Sequence, residues 1–208
     1  MELDGEHAKR NEQKWDRRAF TFDQKRFDYF RWIQRWVIRR IGIKPGQHFL
    51  DIGCGTGWAV RYAALQAQGR GEFHGVDLSG EMIAAAQAQS LAFSNVHFHK
   101  ANAECLPVPD DSVDVILCTN SFHHYRNPVR ALTEINRVLI PGGRVWIVDV
   151  ATDDGFMRWV DHRVKSNEPE HVHFQSSREY RELFSSAGIT MLNQKWLIYP
   201  LRVQIGKK

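Results

Sequence analysis

Residues 49–57 read FLDIGCGTG, and their chemical interest lies in Asp51 standing just ahead of three glycines at alternate positions, Gly53, Gly55 and Gly57. Glycine allows backbone angles and close approach that a Cβ forbids, so a ligand can lie directly on this main chain. A dinucleotide loop spaces its glycines GxGxxG and a phosphate loop adds a lysine; this segment has neither pattern. Asp51 would repel a phosphate and attract an ammonium group, while the N-terminus of the helix beyond can accept a carboxylate. An acid beside exposed backbone amides suits a zwitterion such as an amino acid. Asp77, twenty positions after Gly57, ends a second apolar run, where a carboxylate can accept both hydroxyls of an unmodified ribose. The plainer alternatives are that Gly55 and Gly57 serve helix–strand packing and that Asp77 caps the next helix.

A second candidate is TNSFHHYRNP, residues 119–128, in which His123 and His124 follow an apolar run. Adjacent histidines in an extended segment project to opposite sides, so one metal ion cannot easily use both, and no metal is expected. Two roles remain: shaping a pocket and its loop, or moving a proton, with His124 the candidate base. Cys54, Cys105 and Cys118 are odd in number and none is spaced CxxC, which fits reduced thiols rather than a disulfide framework or a zinc site. Cys54 reads as an inert small residue in a tight loop, and Cys118 as strand packing.

The elements that must position these groups alternate. HFLDIG, EFHGVDLS, VHFHKAN, VDVILCTN and GRVWIVDVA read as strands, separated for the most part by helical patterns such as GWAVRYAALQAQG, GEMIAAAQAQSLAF and VRALTEINRVL. Strands linked in this way pair in parallel through right-handed crossovers, with helices on both faces of the sheet. Two further helices, through FMRWVDHRVK and SREYRELFSSAG, precede two strand-like runs joined at Tyr199-Pro200, which predicts an antiparallel hairpin at the sheet edge. The chain has 208 residues, 43% hydrophobic and 25% charged, with 28 basic against 24 acidic side chains. These are ordinary globular values, and the small basic excess is not a nucleic-acid footprint. No segment approaches the roughly 20 apolar residues of a membrane span, and the charged residues 1–18 do not form a signal peptide. A single cytoplasmic domain is expected.

These blocks resemble the class I S-adenosylmethionine-dependent methyltransferases, and within them the small-molecule group of the ubiquinone-biosynthesis type. LDIGCGTG, GVDLSGEMIAAA, ANAECLPVPDDSVDVILCTNSFHHY and RALTEINRVLIPGGRVWIVD match its successive motifs in order and spacing, from about Gly46 to Asp149. The resemblance implies a doubly wound, seven-stranded, mostly parallel Rossmann-like sheet and the cofactor S-adenosylmethionine, released as S-adenosylhomocysteine. It places Asp51, Gly53 and Gly55 around the methionine part, Asp77 on the ribose, Leu78 beside the adenine, Asn102-Ala103-Glu104 along the base, and Asn120 over the methionine side. Asn102 stands where the family usually has an aspartate; its amide oxygen can accept from the adenine amino group in the same way.

The resemblance divides the domain into an N-terminal helical cap at 1–42, a cofactor core at 46–150, and acceptor-side helices with the terminal hairpin at 151–208. In the cap, Phe27, Phe30, Ile33, Val37 and Ile41 recur at helical spacing, while the segment before them reads as a short helix or an arm folded over a site. Trp15, Phe20, Phe22 and Tyr29 are candidates for an apolar lid, and Phe27, Phe30 and Trp36 for the core. Arg35, Arg39 and Arg40 read as a solvated face or a grip on an anionic acceptor. In the insert NEPEHVHFQS, His171 resembles a histidine that approaches the active site in one branch of the family; surface polarity is the alternative for it and for His173. The expected acceptor is a small organic molecule. The alternatives are an RNA or protein acceptor, or a catalytically silent cofactor-binding partner subunit.

Overall fold

A computed structural model describes residues 2–22, 27–168 and 171–208, with side chains described for 6–17, 29–168 and 171–208. Phe20, Phe22, Phe27 and the Pro169-Glu170 pair of the insert therefore lie outside the described side chains. In chain order the elements are α1 (Glu2–Phe22), α2 (Phe27–Ile41), β1 (Phe49–Ile52), α3 (Trp58–Gln66), β2 (Phe73–Asp77), α4 (Gly80–Ala88), β3 (Val96–Lys100) and β4 (Val113–Thr119). A 3-10 turn (Phe122–His124) follows, then α5 (Pro128–Val138), β5 (Leu139–Val150), α6 (Gly155–Asn167), α7 (Ser177–Ser186), β6 (Thr190–Ile198) and β7 (Leu201–Lys207).

The strands form one seven-stranded sheet in the order β3-β2-β1-β4-β5-β7-β6. The first five pair in parallel, and β7 and β6 close one edge in antiparallel register. This is the expected doubly wound sheet with its terminal hairpin. Strand order reverses between β1 and β4, and the crevice outside the carboxyl ends of strands at such a reversal is where open α/β sheets bind ligands.

Alternation along the strands divides the core in two. Phe49, Phe73, Val115, Leu117, Trp146 and Val148 pack on one face with Ile33, Val37, Ile41 and the alanines of α3. Leu50, Ile52, Val76, Ile116, Cys118 and Ile147 pack on the other with Leu132, Ile135, Tyr180 and Phe184. Caps set where helices begin: the Ser79 hydroxyl accepts from the Met82 N–H, Asn127 caps α5 ahead of Pro128, and Ser176 with Glu179 forms a full capping box on α7. No helix among the described residues is long and apolar enough to cross a membrane.

The N-terminal segment is longer and more ordered than a short helix or arm. α1 runs for 21 residues and packs against α4. Asp16 Oδ1 accepts from Ser79 Oγ at 2.5 Å and from the Glu81 N–H at 3.3 Å, Lys100 donates to Glu12 at 2.5 Å, and Lys14 donates to Glu168 at 2.6 Å. Among its described side chains, these polar anchors tie it to α4, β3 and the end of α6.

Candidate active site

The glycine loop leaves β1 and turns through positive φ at Gly53, Gly55 and Gly57. At Gly53 a Cβ would meet Ser121 Oγ at 2.1 Å, so only glycine lets the loop approach the end of β4 this closely. Gly57 answers instead to packing, since a Cβ there would meet the Phe98 ring at 2.4 Å and Ala86 Cβ at 3.0 Å. The expectation of exposed loop amides needs correcting. Gly53 and Cys54 donate to the Val76 carbonyl, Gly55 to Asp77 Oδ2 at 2.8 Å, and Gly57 to the Cys54 carbonyl. The start of α3 has no side-chain cap.

Asp77 does not cap α4, a place that Ser79 takes. It lines the cavity, and its two oxygens also hold the Gly55 and Ser79 N–H groups at 2.8 and 2.9 Å, tying the glycine loop to the start of α4. Burial pushes its pKa up against those two bonds. Asp51 is fully buried behind Gly53 and, alone among the expected cofactor residues, does not itself line the cavity; neither of its carboxylate oxygens has a hydrogen-bond partner among the described residues. Burial first, and the nearby Asp77 second, push its pKa up to about 8.

One cavity gathers Gly53, Gly55, Asp77, Leu78, Asn102, Ala103, Glu104, Asn120 and His124. Asn102 Oδ1 already accepts from the Glu104 N–H at 3.0 Å, and Asn120 takes a left-handed φ of 51° as it turns out of β4. Sequence reasoning missed the opposite wall: His7, Ala8 and Asn11 from α1 and Gln34 from α2, joined by Trp15, the lid candidate that does face the cavity. A signal existed in the four-residue spacing of His7, Asn11 and Trp15, but their polarity gave no hydrophobic periodicity. Phe30 faces the cavity rather than the core, Tyr29 is 48% exposed away from it, and Trp36 packs on the core with the Arg40 guanidinium over its ring. Arg39 donates to the Tyr62 hydroxyl and Arg35 lies over the Tyr62 ring, so neither reaches the cavity.

His123 and His124 lie in a tight 3-10 turn, not an extended segment, and their rings lie side by side at 4.1 Å. The two rings therefore do not project to opposite sides, contrary to the expectation for an extended segment. His123 Nδ1 and its backbone N–H both meet the buried Asp149 carboxylate, at 2.8 and 3.1 Å, and its carbonyl accepts from Val172 and His173. It is a structural joint between β5 and the insert. His124 faces the cavity at 9% exposure, with the Trp15 ring edge-on at 5.6 Å.

The insert backs this joint rather than lining the cavity. His171 is buried at 5% exposure, which removes the surface reading for it, and its Nε2 lies 2.7 Å from Asp161 Oδ1. The half-buried His173 meets the other Asp161 oxygen at 3.0 Å and Glu179 at 3.0 Å. Burial alone would raise the Asp161 pKa, but the Phe174 N–H with His171, Lys165 and His173 brings it down to about 2. Burial lowers the His171 pKa, with Asp161 opposing it. Cys54 and Cys118 are buried, with thiols pushed well up by burial, so neither is a nucleophile.

Comparison with known proteins agrees with this arrangement. Residues 50–147 match the methyltransferase domain family. The chain is 36% identical to an uncharacterised methyltransferase, YcgJ of Bacillus subtilis, over 77% of this chain and 64% of that one. It is 33% identical to the ubiquinone/menaquinone biosynthesis C-methyltransferase UbiE of Vibrio vulnificus, over 56% of this chain and 46% of that one. It thus spans about half to two-thirds of the length of these relatives. The solved YcgJ structure superposes with a TM-score of 0.67 at 30% identity, covering 78% of this chain and 70% of that one. A SAM-dependent methyltransferase of Aquifex aeolicus superposes at 0.69 with 26% identity, covering 84% and 88%. From its motifs, sheet order and relatives together, the chain belongs to the class I S-adenosylmethionine-dependent methyltransferases.

Proposed function

We propose that the protein transfers the methyl group of S-adenosylmethionine to a small organic acceptor, with residues 1–208 acting as one methyltransferase domain. The observation that carries this is Asp51, a buried carboxylate with two unpartnered oxygens behind a glycine loop that Asp77, at the end of the neighbouring strand, holds through the Gly55 N–H. An ammonium group would satisfy Asp51, and its burial is otherwise a cost without return. The residues present fit the cofactor. Asp51, Gly53, Gly55 and Asn120 would hold the methionine part, Asp77 the ribose, and Leu78, Asn102 and Ala103 the adenine. When bound, S-adenosylmethionine supplies a methyl group already activated on a sulfonium. The chain's own contribution is then to exclude water, orient the acceptor and accept a proton where the nucleophile carries one. His124 would take that last role; it lines the cavity on a turn that the His123–Asp149 contact holds in position.

A small acceptor is favoured because the described side chains of α1 and α2 that wall the cavity include Asn11, Trp15, Phe30 and Gln34 and no lysine or arginine. Calorimetry with S-adenosylhomocysteine tests the cofactor assignment, and incubating methyl-labelled S-adenosylmethionine with small hydroxyl, amine and activated-carbon compounds tests transfer. Binding without release of S-adenosylhomocysteine from any acceptor would point to a silent partner subunit; salt-sensitive transfer to RNA would point to a macromolecular acceptor.

A further inference from the structure

The face of α1 turned to the cavity carries His7, Asn11 and Trp15 at successive four-residue steps, which places them on one side of the helix. The outer two are fixed on one neighbour. His7 Nε2 lies 3.3 Å from the His124 carbonyl oxygen, and the Trp15 ring meets the His124 ring edge-on. Asn11 between them must project over the same turn. It is 8% exposed, and its Oδ1 is buried with no hydrogen-bond partner among the described residues. A buried amide oxygen left unpaired destabilises the protein, and asparagine is a poor helix former in mid-helix. Neither packing nor helix formation accounts for this residue; a hydrogen brought by a ligand does.

We propose that Asn11 is a specificity-determining residue whose amide oxygen accepts a hydrogen bond from a hydroxyl or amine group on the methyl acceptor. The acceptor is then a small, largely apolar molecule bearing such a donor, held beside Trp15, Phe30 and His124. The proposal rests on the methyl-transfer reading above. In that reading the cofactor ammonium already has Asp51 as its partner, which leaves Asn11 to the acceptor.

Phenol and anisole, which differ by a methyl group replacing the donor hydrogen, serve as probes on the full chain saturated with S-adenosylhomocysteine. Binding is followed at the Trp15 indole and His124 imidazole NMR signals. The wild type is expected to favour phenol by about tenfold. Asn11→Leu should abolish the preference, while Asn11→Asp, which keeps an accepting oxygen, should retain it; the thermal unfolding transition of each variant serves as the folding control. Equal binding of both probes by the wild type, or an undiminished preference in Asn11→Leu, would overturn the proposal. So would a tenfold loss of S-adenosylhomocysteine affinity in a folded Asn11→Leu protein, because it would place Asn11 on the cofactor. Failure of the wild type to bind S-adenosylhomocysteine at all would instead remove the methyl-transfer reading, and this proposal with it.

Discussion

At the scale of single residues, the two acids of the cofactor site differ in what they already hold. Asp51 holds nothing, and with a pKa pushed up to about 8 it is mostly protonated in the free protein at pH 7. Pairing with an ammonium group favours the ionised form, so cofactor binding at pH 7 should release close to one proton. Calorimetry in buffers of different ionisation heat measures this release, and Asp51→Asn should eliminate it. Asp77, by contrast, is committed to the Gly55 and Ser79 N–H groups before any ligand arrives. Asp77→Ala should therefore weaken S-adenosylhomocysteine binding at least tenfold and also lower stability by about 1–3 kcal/mol, as buried donors lose their acceptor. Unchanged affinity in that variant would remove the ribose assignment. Both acids were readable from sequence because strand ends and glycine spacing fix where such groups stand. That Asp51 lies unpartnered was not, since partners depend on which backbone amides the loop uses for itself.

At the scale of elements, the alternating strands and helices from Phe49 to Val150 were legible because each buries an apolar face with the period of its geometry. α1 was not. Among its described side chains the hydrogen bonds to the rest of the fold are made by His7, Glu12, Lys14 and Asp16, and polar contacts of this kind leave no apolar stripe to read. The histidine turn was misread for a related reason: a 3-10 turn held by Asp149 and the insert is a tertiary decision, invisible in the local residues. α1 touches the His124 turn through His7 and the start of α4 through Asp16; with the cofactor in the cavity as proposed, loosening this helix should ease exchange. Removing its anchors with Glu12→Ala and Asp16→Ala together should speed S-adenosylhomocysteine dissociation by about 3- to 10-fold, the equivalent of roughly 0.7–1.4 kcal/mol. Stopped-flow release kinetics measure this, and an unchanged rate would show that exchange takes another route.

For the whole molecule, the half-buried His74 and the buried Asp51 act in opposite directions on the pH dependence of stability. His74 stacks on His97 at 5.2 Å and shares a 3.3 Å nitrogen contact with His99; burial first, then those two neighbours, lowers its pKa to about 4. Its stabilising neutral form is fully present above the unfolded value near 6.5, and that contribution is lost as pH falls toward 4. Asp51 has the reverse sign. Its folded pKa lies above the unfolded value of 3.8, so the contribution of its protonated form is complete below 3.8 and is lost as pH rises through about 8. Between about pH 4 and 6.5 the two slopes oppose each other; above 6.5 only the Asp51 slope remains. The ligand-free protein should therefore lose about 1–2 kcal/mol between pH 6.5 and 8, a fall of a few degrees in Tm for a chain of this size. Saturation with S-adenosylhomocysteine should cancel that fall by keeping Asp51 paired, and Asp51→Asn should cancel it without ligand. Thermal melts across this range check the prediction. A fall that persists in Asp51→Asn would place its origin elsewhere in the molecule and leave Asp51 without the electrostatic role on which the cofactor assignment depends.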